Sequence, residues 1–330
     1  MALETSLTAR LGIAHPILSA PMAAIAGARL VEAVGKAGGF GMLGGGYGDK
    51  TWLAQETAKL KHATVPFGIG FITWSMAKQV ELLDIALAVR PRAIMLSFGD
   101  PRPFGARIKA AGSLLICQVQ SEDMAQEALE AGADILIAQG TEAGGHGASR
   151  TTLDIVPAIV DIAAGRVPVV AAGGLADGRG LAAMLMLGAS GVLLGTRFYA
   201  SLECEVEEEA KQRICAATGG STARSVVFDL SRNIFWPAPF TLRALVNDHS
   251  RRWIGREVEL MQNMTTVTAD YAAAKAARNF DIAGVFAGEA AGLIHDIPPA
   301  AEIVGRIVTE AEQIMSGKQN SAAMSRAAAR

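Results

Sequence analysis

The chain has 330 residues, 51% of them hydrophobic and 19% charged, so it can bury a large core, and one large domain with an elaboration is expected rather than several small ones. Its formal net charge is -2, with Lys and Arg scattered rather than clustered, which excludes the basic footprint of a nucleic-acid or anionic-membrane binder. Cys117, Cys204 and Cys215 are odd in number and lack CxxC spacing, which speaks against a disulfide framework or a structural zinc site and for a reducing cytoplasm.

The first residues, MALETSLTARLGIAHPIL, carry Glu4 and Arg10 where a secretory leader needs an uninterrupted apolar stretch, so no export signal is expected. Short apolar runs then alternate with helical segments: PILSAPM (16–22), GFGMLGG (39–45), FGIGFI (67–72), AIMLSFG (93–99), LLICQV (114–119), ILIAQG (135–140), VPVVAAGG (167–174) and GVLLGTRF (191–198). Runs that are apolar throughout suit strands covered on both faces, as in a parallel sheet wrapped by helices. The glycines of LGGGYGD at 43–49 are consecutive, a poor match to the spaced glycines of a dinucleotide fingerprint.

After the fifth run, Ser121 is placed to cap a helix whose face carries Met124, Ala125, Ala128 and Leu129, and Gly132 ends it. The same phrase returns with Asp177 as cap, Leu181, Met184 and Leu185 as the stripe, and Gly188 as the stop. GADILIA at 132–138 and GASGVLL at 188–194 are copies of one unit, and AGGFGMLG at 37–44 is a looser third. The longest charge-free apolar run, 181–196, contains three glycines and is shorter than the roughly 18 residues of a spanning helix, so it is a buried helix followed by a strand. Eight such units in about 200 residues predict an α/β fold of the (β/α)₈ TIM-barrel type, typically ~250 residues long. The competing doubly wound open sheet usually stops nearer to about six strands.

From Leu202 the chain turns polar and helical, with SLECEVEEEAKQRI and TLRALVNDHSRRWIGREVELMQNM. The predicted organisation is a barrel over 1–201, an inserted helical substrate segment over 202–283, a return to the barrel with its last helix over 284–315, and a flexible tail over 316–330. Strand-to-helix loops gather at a barrel's C-terminal face, so the insertion should stand over that face.

The strand ends therefore supply the candidate site. They offer Ala20, Pro21 and Met22, then Thr73 and Trp74, Ser97, Gln118, and the loop from Gly140 to Gly147. Gly173 and Gly174 after the seventh run, with Gly195 and Thr196 after the eighth, sit where barrels commonly hold a phosphate on backbone N–H groups. Ordinary turns that need positive φ would use the same glycines. Gln118 can donate and accept toward a bound heterocycle, or simply cap a loop. His146 stands among Gly144, Gly145 and Gly147, which let the backbone approach a ligand while presenting one imidazole to the barrel mouth, so catalytic or substrate-polarising use is favoured. No His and carboxylate cluster has metal-ligand spacing, and a GxSxG elbow is absent.

Taken together, SAPM, IAQGTEAGGHGAS, VVAAGGLADGRG, LLGTRF and AGEAAGLIHDIPP resemble the nitronate monooxygenase family, flavin enzymes of (β/α)₈ fold related to quinone reductases and flavin-type enoyl-ACP reductases. The resemblance spans about 10–200 and 284–315. It implies FMN with its phosphate on Gly173, Gly174, Gly195 and Thr196 and its ring near Ala20, Pro21, Met22, Gln118 and Gly144, with Gly70 and Gly145 completing the cofactor set. It also implies His146 as the active-site histidine, acting as a base toward a neutral nitroalkane or positioning a nitronate, with dioxygen as co-substrate and a carbonyl compound and nitrite as products. Thr73, Trp74, Ser97 and Glu289 are the expected substrate-pocket residues. The chain departs from the family in GIGFITWSM, in Gln118 where relatives often have lysine or histidine, and in Glu289 where glutamine is common. Two rivals remain open: an NAD(P)H-dependent quinone or enoyl-thioester reductase on the same fold, and a flavin-free phosphate-binding barrel isomerase or lyase.

Overall fold

Each of the eight apolar runs forms a strand in the computed structural model, which describes residues 3–317. They are β1 (Ile17–Ser19), β2 (Gly41–Gly46), β3 (Phe67–Ile72), β4 (Ala93–Ser97), β5 (Leu114–Val119), β6 (Ile135–Gln139), β8 (Val169–Ala172) and β9 (Gly191–Leu194), with a short β7 (Gly145–Gly147) between the sixth and seventh runs. The eight pair in parallel in the order β1-β9-β8-β6-β5-β4-β3-β2. A bridge between Leu18 and Phe40 closes the ring, with Ser19 N donating to Phe40 O at 3.0 Å and Phe40 N to Ile17 O at 2.9 Å. The fold is the (β/α)₈ barrel that the alternation of runs predicts.

Both faces of each strand are covered, and side-chain alternation sorts them. Leu18, Met42, Met95, Ile116, Ile137, Val170 and Leu193 join Phe40 in one buried cluster inside the barrel, where Leu7 and Leu11 of the helix Ser6–Leu11 also pack. Their neighbours Ile17, Leu43, Ile69, Ile94, Leu96, Leu136, Val169 and Val192 pack outward in a second cluster with the helices. Phe40 is fully buried, and Gly68 leaves room for its ring: a Cβ there would lie 2.8 Å from Phe40 Cε1. Phe40→Ala should therefore cost about 3–5 kcal/mol through lost contact and a residual cavity. Urea unfolding measures this, and a cost below about 1 kcal/mol would contradict a packed interior.

The helix grammar holds where it was read. Ser121 Oγ accepts from Met124 N at 3.3 Å, and Ala125 and Ala128 are buried. Asp177 accepts from Arg179 N at 3.0 Å and from Gly180 N at 3.4 Å. The final helix Ala300–Met315 packs between the helices Gly178–Met186 and Ala28–Lys36, which completes the outer ring.

The segment after β9 differs from the purely helical expectation. Besides the helices Glu208–Cys215, Val227–Ser231, Asp248–Trp253, Glu257–Gln262 and Met264–Ala276, it forms β10 (Thr222–Ser225) and β11 (Thr241–Leu245). These pair antiparallel with β7 in the order β10-β11-β7, placing Leu242 opposite His146. Neither strand is apolar throughout, because Arg224 and Arg243 lie opposite each other and turn to the loop after β6. That loop leaves the C-terminal end of β6, so the insertion stands over the C-terminal face of the barrel. Among the described residues no helix is long and apolar enough to cross a membrane. The predicted tail lies outside the described residues from 318 onward.

Candidate active site

The register of the barrel sets the first layer of the site. Ile72 pairs beside Ser97, and Ser97 beside Gln118, so the ends of β3, β4 and β5 present these residues side by side. Ala20 N donates to Leu194 O at 2.9 Å, which seats the turn after β1 against the end of β9. Pro21 crosses directly over Gly70, where a Cβ would lie 2.3 Å from Pro21 Cγ. Gly70 thus has a packing reason: it lets the Ala20–Met22 turn lie flat across β3.

Three loops then meet above these ends. Gly173 and Gly174 have φ of 111° and 71°, the left-handed region that glycine enters freely. A Cβ on Gly173 would lie 2.8 Å from Thr152 Oγ1 and 3.0 Å from Gly140 O, and one on Gly174 would lie 3.1 Å from Glu142 Cβ, so this turn packs on the loop after β6. Thr196 Oγ1, at the start of the short helix Thr196–Tyr199, accepts from Gly288 N at 2.9 Å. Gly288 in turn is pressed against Glu142 O and Gly144 N, which joins the β9 turn to the same loop. Glu142 is occupied structurally, accepting from Thr152 N and Thr152 Oγ1, each at 2.8 Å.

The loop that carries His146 is short of side chains, and two arginines from the insertion hold it instead. Arg224 donates to Thr141 O at 2.8 Å, Ala143 O at 3.0 Å, Gly145 O at 3.4 Å and Thr241 O. Burial, and then the neighbouring Arg243, pulls its guanidinium down to about 10, so it remains a cation at neutral pH. Arg243 donates to Thr141 O at 2.8 Å and pairs with Glu289 at 2.9 Å. From below, Gln139 Nε2 donates to His146 O at 3.1 Å, and Gln120 Nε2 donates to Gln139 Oε1 at 2.8 Å.

The imidazole itself is almost closed off, with 8% of the side chain exposed. Its Nε2 lies 3.0 Å and 2.9 Å from the two carboxylate oxygens of Asp229, and Arg232 donates to Asp229 Oδ1 at 2.5 Å. Trp236 stacks on the ring with centroids 3.4 Å apart and planes at 10°. The indole N–H donates to Tyr47 Oη at 2.9 Å, and Trp74, Phe98 and Phe240 meet the indole edge-on. Phe98 reaches this cluster from a left-handed backbone, φ 64°, a local strain that the packing must hold. Burial lowers the His146 pKa more than the hydrogen bond and charge of Asp229 raise it, and Arg232 and Arg224 push the same way as burial. The ring is therefore neutral at physiological pH and able to accept a proton.

The structure brings together Ala20, Pro21, Met22 and Gly70, with Gly195 beside Ala20, and gathers Gly144, Gly173, Gly174 and Thr196 around one loop through Gly288 and Glu142. Trp74 joins His146 through Trp236. Thr73 is buried against Gly99 at the end of β3, and Gly145 extends β7. Glu289 is turned to Arg243 and is 46% exposed in that pair. Sequence reasoning missed Asp229, Arg232, Trp236, Tyr47 and Arg224. Four of the five lie in the insertion, where no spacing announces them; the aromatic and proline content of FWPAPF was the one available signal. Thr73 Oγ1, Trp74 Nε1 and Gln120 Oε1 are buried with no hydrogen-bond partner among the described residues, and all three follow strand ends at the barrel mouth. Among the described residues no group of three or more His, Cys, Asp or Glu is placed to hold a metal ion.

A family profile described as "Nitronate monooxygenase" matches residues 4–76 and 72–310. The chain is 31% identical to the (3aS,4S,5R,7aS)-5-hydroxy-7a-methyl-1-oxo-octahydro-1H-indene-4-carboxyl-CoA dehydrogenase of Mycobacterium tuberculosis, covering 94% of this chain and 97% of that protein. It is 32% identical to nitronate monooxygenase npaC of Metarhizium robertsii, covering 91% and 92%. The solved structure of FabK from Thermotoga maritima aligns with a TM-score of 0.85 at 30% identity, over 95% of this chain and 98% of that one.

Proposed function

The chain belongs to the nitronate monooxygenase family, a group of oxidoreductases, and we propose that it binds FMN and oxidises alkyl nitronates with dioxygen to a carbonyl compound and nitrite. Its residues fit both ends of that cofactor. The turns at Gly173, Gly174 and Gly195 carry no side chain that could cover their main-chain N–H groups, which would hold the phosphate, and Thr196 Oγ1, already an acceptor from Gly288, keeps its own proton to donate. Ala20, Pro21, Met22, Gly144 and Gln118 would lie beside the ring, where the partnerless Thr73 Oγ1, Trp74 Nε1 and Gln120 Oε1 offer donors and an acceptor. When bound, the flavin supplies the electron acceptor for the substrate and the site of dioxygen reduction.

The protein's own part is proton handling and exclusion of water. His146, neutral and stacked under Trp236, accepts the proton next to the nitro group of a neutral substrate, and the resulting imidazolium faces Asp229. Ser97 and Thr73 are buried at the ends of β4 and β3, Trp74 beside them meets Trp236 of the insertion edge-on, and this aromatic cluster keeps solvent from the imidazole. The observation that carries this reading is a nearly buried imidazole whose own loop is packed against the two glycine turns.

A second reading is favoured by the similarity to a CoA-substrate dehydrogenase and to FabK: NAD(P)H-driven reduction of a quinone or an enoyl thioester at the same site. Oxygen uptake and nitrite release on ethyl nitronate, set against NADH oxidation with a quinone and with an enoyl thioester, separate the two. Nitronate-dependent oxygen uptake without NADH is expected. NADH turnover with no response to nitronate would replace the proposal, and a colourless protein that takes up no flavin would favour the flavin-free phosphate-binding barrel.

A further inference from the structure

We propose that Asp229 is a positioning residue that fixes His146 as its Nε2–H tautomer, which makes Nδ1 the atom that accepts the substrate proton. The proposal rests on the reading of His146 as the base and adds which atom acts and what sets it. Both carboxylate oxygens lie within 3.0 Å of Nε2, and the two side chains are 8% and 3% exposed. A carboxylate accepts and does not donate, so the hydrogen between the groups sits on Nε2 and the lone pair on Nδ1. Trp236 holds the plane of the ring at 3.4 Å, and a half-turn within that plane would put a carbon where Nε2 now meets both Asp229 oxygens, so the hydrogen bond keeps Nε2 toward Asp229.

The charged groups around the ring agree with this assignment. Asp229 faces it from the helix Val227–Ser231, Arg232 follows that helix and donates to Asp229, and Arg224 approaches from β10. No second acceptor competes among these: both arginines are donors. In the proton transfer, the C–H bond beside the nitro group breaks, its electron pair forms the C=N bond of the nitronate as the N=O π pair moves onto oxygen, and the proton bonds to Nδ1. The positive charge so made is shared with the Asp229 carboxylate across Nε2–H.

The assignment is tested first without any substitution in the dyad. Nitrogen NMR of the flavin-loaded enzyme labelled in its five histidines, with His146→Gln used for assignment, should show His146 with a pyrrole-type Nε2 and a pyridine-type Nδ1. Asp229→Asn then reverses the pattern. Arg232 keeps the amide oxygen, the NH₂ group faces Nε2, and the imidazole hydrogen moves to Nδ1. Turnover of a neutral nitroalkane should fall about 100-fold, the lower range of a lost general base, while a preformed nitronate keeps its rate within about threefold. A wild-type Nδ1–H tautomer, or equal losses on both substrates, overturns the proposal. Full activity of His146→Gln on the neutral substrate would instead overturn the underlying base reading while leaving the tautomer measurement standing.

Discussion

His146→Ala is expected to lower turnover of a neutral nitroalkane by about 10²- to 10⁴-fold, the usual contribution of a positioned general base, while the protein still binds FMN. Flavin retention follows from position: the bare turns belong to Gly173, Gly174 and Gly195, whereas the imidazole faces Asp229 and Trp236. With a preformed nitronate no proton has to be removed, so the loss there should be smaller by at least an order of magnitude, on the order of 10-fold. Steady-state rates on the two forms of one substrate read this split directly. Wild-type activity on the neutral form has its own signature. The base must be unprotonated, and burial holds it below the ordinary histidine value, so activity persists as pH drops through about 6.5 and is lost only further down. A variant as active as wild type on both forms would remove His146 from the chemistry.

Gly174→Asp is expected to empty the cofactor site, weakening FMN by at least about 100-fold. Three effects act in one direction. Backbone at φ 71° disfavours any side chain, the new Cβ would press on Glu142 at 3.1 Å, and the added carboxylate would stand beside the phosphate. Two unit charges about 4 Å apart at a partly exposed site repel by about 4 kcal/mol, which exceeds the roughly 1–2 kcal/mol of backbone strain, so charge decides the outcome. Gly174→Ala separates the terms, since it keeps the strain and lacks the charge, and it should lose no more than about 10- to 30-fold. Flavin fluorescence titration of the purified apoproteins measures both, with thermal melting as the control for folding. Equal flavin affinity in wild type and Gly174→Asp would place the phosphate elsewhere.

The barrel was legible because parallel strands covered on both faces leave uninterrupted apolar runs, and each of the eight runs found in the sequence coincides with one of the eight strands, to within one residue at the end of β2. His146 was legible for a related reason: a ring between glycines has little packing role. Its partners were not. Asp229 and Trp236 lie 83 and 90 residues further along, in a segment whose polarity hides both function and fold, and only the folded insertion carries them to the imidazole. The strands β10 and β11 were missed because their arginines point at the loop after β6 instead of leaving an apolar or alternating pattern. Gly70 was read only as a cofactor position, and the packing of Pro21 that requires glycine there appears only in three dimensions. Glu289 shows the same limit, since nothing near it in sequence announces Arg243.

The most direct measurement is a crystal structure of the protein grown with FMN. The account predicts phosphate density against the turns at Gly173, Gly174, Gly195 and Thr196, with the flavin ring reaching the strand ends beneath His146. The opposite end of the barrel holds a separate cavity of about 320 Å³ lined by Arg10, Arg166, Ser190 and Asp134, the last paired with Arg10. FMN bound there, with the glycine turns filled only by solvent, would contradict the account.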